Sequence, residues 1–191
     1  NHKPILEVGL VNFMEKLAEE KNNNISFNVG SKDTLKNCSN SENAVPVILD
    51  SPILNNLIME TLELYDHPEV LSSDPNMKKI FLCDNITFSN ICKNKKGFEA
   101  VFKMIGLEKL ILLGKKTGNV DLLEAIITML INYLRHTNKE ELPDQFWSDV
   151  LLIVNKCLNL KDRTPSLIAK TLIPLILSSF SLIVSLLQLY K

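Results

Sequence analysis

Arginine is nearly missing from this chain of 191 residues: against 19 lysines there are only Arg135 and Arg163. Arginine supplies the commonest bidentate contact to base edges, so its scarcity argues against a sequence-specific DNA reader. Glycine is also scarce, at 6 residues, too few for a turn-rich β-sandwich. No glycine-rich phosphate loop, GxSxG or HExxH motif is present. The adjacent carboxylates Glu19-Glu20 and Glu140-Glu141 would point to different faces of a helix, and no catalytic constellation emerges. Enzymatic activity is therefore not expected. Four cysteines, Cys38, Cys83, Cys92 and Cys157, include no close pair of the kind structural zinc sites use, and His2, His67 and His136 stand far apart. Neither a metal nor a cofactor is expected. The formal net charge of −1 excludes a general polyanion-binding surface.

What the chain does have is aliphatic mass. It holds 32 leucines and 18 isoleucines within a 46% apolar composition, which points to helix and to a core large enough for one domain or two small ones. Asparagine appears 20 times, and the lysine excess accompanies it, a skew that codon bias alone can produce. Asn24, Asn37 and Asn85 begin glycosylation-like triplets, but about two such triplets are expected by chance at this composition. Cys83 and Cys92 sit in apolar, helix-like surroundings, where a free thiol behaves as a small hydrophobe. Reduced thiols fit a cytoplasmic or nuclear protein. No signal peptide is visible, and the abrupt start at Asn1 suggests a fragment.

Along the chain, a first helix is expected over residues 1–22, with Leu6, Leu10, Phe13 and Leu17 on one face. An irregular Asn/Ser-rich loop follows over residues 23–50, where no period is sustained. From residue 51 to 191 helix starts recur as a capping residue before proline: Ser51-Pro52, Asp74-Pro75 and Thr164-Pro165. Proline costs nothing there, because first-turn amides have no intrahelical acceptor. The helices so opened cover residues 52–66, 75–92 and 165–190, with further apolar blocks at 97–113, 120–135 and 143–160. In the block at 120–135, Leu122, Ile126, Met129 and Tyr133 form one stripe and Leu123, Ile127, Leu130 and Leu134 a second, so that helix should be covered on two sides.

A weak repeat runs through this region. Thr87-Phe88-Ser89-Asn90-Ile91-Cys92 recurs as Met129-Leu130-Ile131-Asn132-Tyr133-Leu134, placing Asn90 and Asn132 42 residues apart. Periods of about 40–47 residues belong to helical solenoids. Between them, the stretch from Lys95 to Leu113 resembles the first two helices of an armadillo repeat, with Gly106 at the turn. The chain thus resembles the armadillo family over about residues 75–134, while HEAT-type repeats and irregular helical bundles fit the same leucine spacing. The resemblance implies an all-α fold, a short armadillo/HEAT-like helical solenoid. It also implies that Asn90 and Asn132 line a concave groove and bond the backbone of an extended peptide. The tryptophan that import receptors of the family place one turn earlier is replaced by Ile86 and Thr128, and a third asparagine would fall on Pro174. Those departures argue against recognition of basic import signals. Trp147, the only tryptophan, reads as a core or interface anchor.

Lys93, Lys95, Lys96, Lys103, Lys109, Lys115 and Lys116 make the centre of the chain locally basic, as a solvated face or as a patch for an acidic partner. Residues 171–190 carry no charge over a length that could span a hydrocarbon core. Four serines and Pro174 within that stretch argue for an interface helix instead. The functional expectation is a protein-protein interaction module, an adaptor or scaffold, whose partner is another protein held as an extended peptide or helix, with Asn90, Asn132, Lys93 and Trp147 at the binding surface. A structural segment of a longer solenoid or obligate complex, with homo- or hetero-oligomers formed through the C-terminal helix, is the alternative. Neither nucleic acid nor membrane is the expected partner.

Overall fold

The computed structural model describes residue 9 and residues 25–67, 73–137 and 142–159. Among the described residues the chain forms eight α-helices and no strand: α1 (Ile25–Cys38), α2 (Ala44–Leu49), α3 (Ile53–Asp66), α4 (Pro75–Ile91), α5 (Lys95–Ile105), α6 (Leu107–Lys116), α7 (Val120–His136) and α8 (Phe146–Asn159). The chain divides into two compact units, Asn1–Gly106 and Leu107–Lys191. The helices expected over residues 1–22 and 165–190 lie outside the described residues.

Capping chemistry sets four of the eight helix starts. Asp74 is extended and its Oδ1 accepts from the Asn76 and Met77 amides, with Pro75 opening α4. Ser51 Oγ accepts from the Ile53 amide ahead of α3, and Pro52 already has helical angles. Asn94 and Asn119 accept from Lys96 and Leu122 to cap α5 and α7. Between α5 and α6 the chain turns on Gly106, whose φ of +77° and ψ of 153° suit only a residue without a Cβ.

In the first unit, α4 lies along α1 and also meets α3 and α5, while α2 packs against α3 and α5. Ile48, Leu57, Ile58, Phe81, Phe88, Ile91 and Val101 form its apolar interior. Gly97 lets α5 close on the end of α4, because a Cβ there would collide with the carbonyl and side chain of Ile91. Of the expected Asn/Ser-rich loop at residues 23–50, the described residues 25–50 are mostly helical. Its polar residues turn their side chains to local work: Ser31 and Thr34 hydroxyls donate to the carbonyls of Asn28 and Gly30, and Lys36 bonds Asp33 at 2.5 Å. Leu35 and a buried Lys32 then hold α1 in place, so tertiary contacts override a weak amphipathic pattern.

In the second unit, α6 packs on α7 and on α8. α7 is buried around most of its circumference, from Leu122 and Leu123 to Leu130 and Ile131, as its double stripe predicts. Phe146 is buried with its ring stacked on Tyr133 at 5.9 Å and edge-on to Trp147 at 5.2 Å. Gly114 is buried where a Cβ would come within 2.7 Å of Ile153.

Candidate functional site

α8 is a two-sided helix. Phe146, Val150, Ile153, Val154 and Cys157 face inward, at the spacing of one helical stripe. On the other side Leu151 is 62% and Leu152 57% exposed, beside the exposed Ser148, Asn155 and Asn159. Trp147, half-buried, lies one turn before Leu151 on the same flank. Leu112 on α6 is also half-exposed. α8 is tied to α6 by the Lys115–Asp149 ion pair and by Lys156 donating to the Lys115 carbonyl at 2.7 Å, both bonds converging on Lys115.

The two repeat asparagines are both turned inward. Asn90 is 6% exposed; its amide nitrogen donates to Ser39 Oγ at 3.0 Å and its carbonyl accepts from Lys93 Nζ at 3.0 Å. Asn132 is 1% exposed, and its carbonyl accepts from Arg135 at 3.3 Å. Neither amide is presented to a passing strand in this arrangement, because each is engaged inside its own unit. The 42-residue repeat does extend to bonding: in both copies a basic residue three positions on caps the asparagine oxygen. That Asn-x-x-Lys/Arg pattern is visible in the sequence once the repeat is aligned.

Of the basic run, Lys93, Lys95, Lys96, Lys103, Lys115 and Lys116 are exposed, but Lys93 and Lys115 are committed to Asn90 and Asp149. The four cysteines are free. Burial pushes the Cys83 and Cys92 thiols up, and Cys157 up to about 11, so each stays protonated at neutral pH. No group of metal-ligating side chains large enough to hold an ion occurs among the described residues. Nor is any helix among them long and apolar enough to cross a membrane; residues 171–190 lie outside that set.

A second polar set, not anticipated from sequence, lies in the first unit. Lys32 of α1, Thr61 of α3 and Asp84 of α4 meet in the interior, and the half-exposed Glu60 of α3 bonds Lys32 from the rim. Its only sequence signal is Asp84 itself, a charge inside the apolar run Ile80-Phe81-Leu82-Cys83-Asp84-Asn85-Ile86. Beside it, the Tyr65 hydroxyl donates to Asn85 Oδ1 at 2.7 Å while its ring meets Phe81 edge-on at 5.2 Å.

No protein-family model matches the chain, and no curated protein and no solved structure matches it.

Proposed function

We propose that this protein is a protein-protein interaction module, an adaptor or scaffold, that holds a helix or peptide of a partner protein on the outward face of α8. The observation that carries the reading is the exposure of two consecutive leucines, Leu151 and Leu152, with Trp147 one turn away, on a helix whose opposite side is fully packed. Trp147 and Leu151, at i and i+4, fall on one flank of the helix, the spacing at which one helix recognises another, and Leu152 extends the apolar surface beside them. The expected asparagine groove is not part of this reading, because Asn90 and Asn132 serve inside the fold. An armadillo/HEAT-like solenoid remains our proposal for the architecture, supported by the 42-residue repeat and its matching Asn–Lys and Asn–Arg bonds. A cytoplasmic or nuclear location fits four thiols kept free.

The same leucines suit an obligate complex, in which a permanent neighbour covers them. Mass measurement in solution separates the two readings: a monodisperse monomer favours an adaptor, while a dimer or a co-purifying chain favours the obligate assembly. The test of the surface is the double substitution Leu151→Glu and Leu152→Glu in the full chain, used as bait beside the wild type. A partner retained by the wild type and lost from the variant, with the melting temperature within about 2 °C, supports the α8 face. Equal retention by both removes it.

A further inference from the structure

The outward face of α8 is uncharged as well as apolar. The only charged residues of α8 are Asp149 and Lys156, and both are bonded to Lys115 of α6, the first to its ammonium and the second to its carbonyl. The exposed positions Ser148, Leu151, Leu152, Asn155 and Asn159 carry no charge. Asn159 Nδ2 donates to the Asn155 carbonyl at 2.9 Å and lies 3.2 Å from Asn155 Oδ1, so these two amides serve each other. A charged ligand would lose its hydration here and find no counter-charge. An uncharged apolar helix meets no such cost.

The chain itself carries such a segment directly after α8, outside the described residues. Residues 160–164 follow α8, and Thr164-Pro165 repeats the capping grammar that opens α4 at Asp74-Pro75. The pattern predicts a helix over 165–190, uncharged from 171 onward. Its polar and turn-forming residues are ordered: Thr171, Pro174, Ser178, Ser181, Ser185 and Gln188 recur at steps of three and four, which puts them on one narrow stripe of a helix. Leu172, Ile176, Phe180, Ile183 and Leu187 fall opposite, on a broad apolar arc that needs a cover. A connection as short as 160–164 makes consecutive helices antiparallel neighbours. Counted back from the end of α8 and on from residue 165, Leu152 comes level with Leu172, and Trp147 lies near Ile176. Both partners belong to the arc opposite the stripe.

We propose that residues 165–190 of this same chain fold back antiparallel on the outward face of α8 and cover Leu151 and Leu152, so that a partner reaches that face only by displacing them. The inference rests on the α8 face put forward above and names its occupant in the free protein. Tethering favours this occupant over a second copy. A tether this short holds the segment at an effective concentration of about millimolar, so a contact too weak to persist between separate molecules is occupied within one. The adaptor surface is then self-covered, and a partner's affinity is lowered by the fraction of molecules in which the chain's own helix is in place.

The experiment is amide hydrogen exchange of the full chain at two widely separated protein concentrations. The expected result is protection of residues 171–187 that is the same at both concentrations and falls at least about tenfold in the double variant Leu151→Glu, Leu152→Glu, with α6 and α7 unchanged. Trp147, the only tryptophan, gives a second reading: Leu172→Glu with Ile176→Glu should open it to acrylamide quenching. Should the α8 variant also lose protection in α6 and α7, that quenching decides, and an unchanged value overturns the proposal. Absence of protection in the wild type, or protection unaltered in a folded α8 variant, overturns it as well. Protection that grows with concentration assigns the face to a second copy, and protection seen only with phosphatidylcholine vesicles assigns the segment to a membrane; either result overturns the intramolecular cover. Failure of the bait experiment with exchange as expected removes the partner reading alone, whereas unprotected residues 171–187 beside a retained partner remove only this one.

Discussion

α4 and α7 are each 17 residues long and each carries a repeat asparagine, yet they are buried by different chemistry. Half of the buried positions of α4 are polar: Asp84, Asn85, Thr87, Ser89 and Asn90. Among the nine buried residues of α7 only Asn132 is polar. The first unit places its helices partly through directional bonds, Lys32 to Asp84 and Ser39 to Asn90, which demand one register. The second relies on aliphatic and aromatic packing around Phe146, which supplies stability with less directional demand. Buried polar pairs contribute little net stability and much specificity in some folds, and we assign them that role in the first unit.

The contrast can be tested by breaking each side. The largest effect is expected from Phe146→Ala, which empties a packed position in the second unit and should cost about 3–5 kcal/mol by urea denaturation. Trp147, in ring contact with Phe146, reports that unit by fluorescence. Next comes pH: if the first unit depends on Asp84, raising the pH from 4 to 7 should remove up to about 3 kcal/mol of its stability. A melt followed through Trp147 in the second unit should lack that slope. Gly106→Ala tests the turn dividing the two units, with an expected loss of about 1–3 kcal/mol from backbone strain alone, because its Cβ would meet nothing within 4 Å. Gly118→Ala, equally open and without a positive φ, should change stability by less than about 0.5 kcal/mol. Asp74→Ala removes the α4 cap and should cost about 1 kcal/mol, more than the Gly118→Ala control.

Much of the fold was legible before any tertiary contact was known. The starts of α3 and α4 followed from Ser51-Pro52 and Asp74-Pro75, the turn at Gly106 was implied by the resemblance of the stretch from Lys95 to Leu113 to two helices of an armadillo repeat, and the encirclement of α7 followed from its two stripes. α1 was not legible, because asparagine and serine normally favour turns by bonding their own backbone. Here those bonds are made inside a helix that α4 holds. For the candidate site, Trp147 on α8 was expected as a core or interface anchor, whereas Leu151 and Leu152 were not singled out among 32 leucines. The inward orientation of Asn90 and Asn132 was hidden, since an asparagine reads alike as groove or interior until its partners Ser39, Lys93 and Arg135 are placed.

By itself the sequence determined that the described chain is helical and where helices such as α3, α4 and α7 begin and end. Those are local properties, set by caps, periodicity and composition within a few residues. Only the tertiary structure decided which polar groups are spent internally, which leucines stay outside, and that Lys32, Glu60 and Asp84 form one cluster. Burial, and pairing across 28 and 52 positions of sequence, are properties of the packed chain, and burial pushes the Asp84 carboxyl up to about 6 although Lys32 pulls it down.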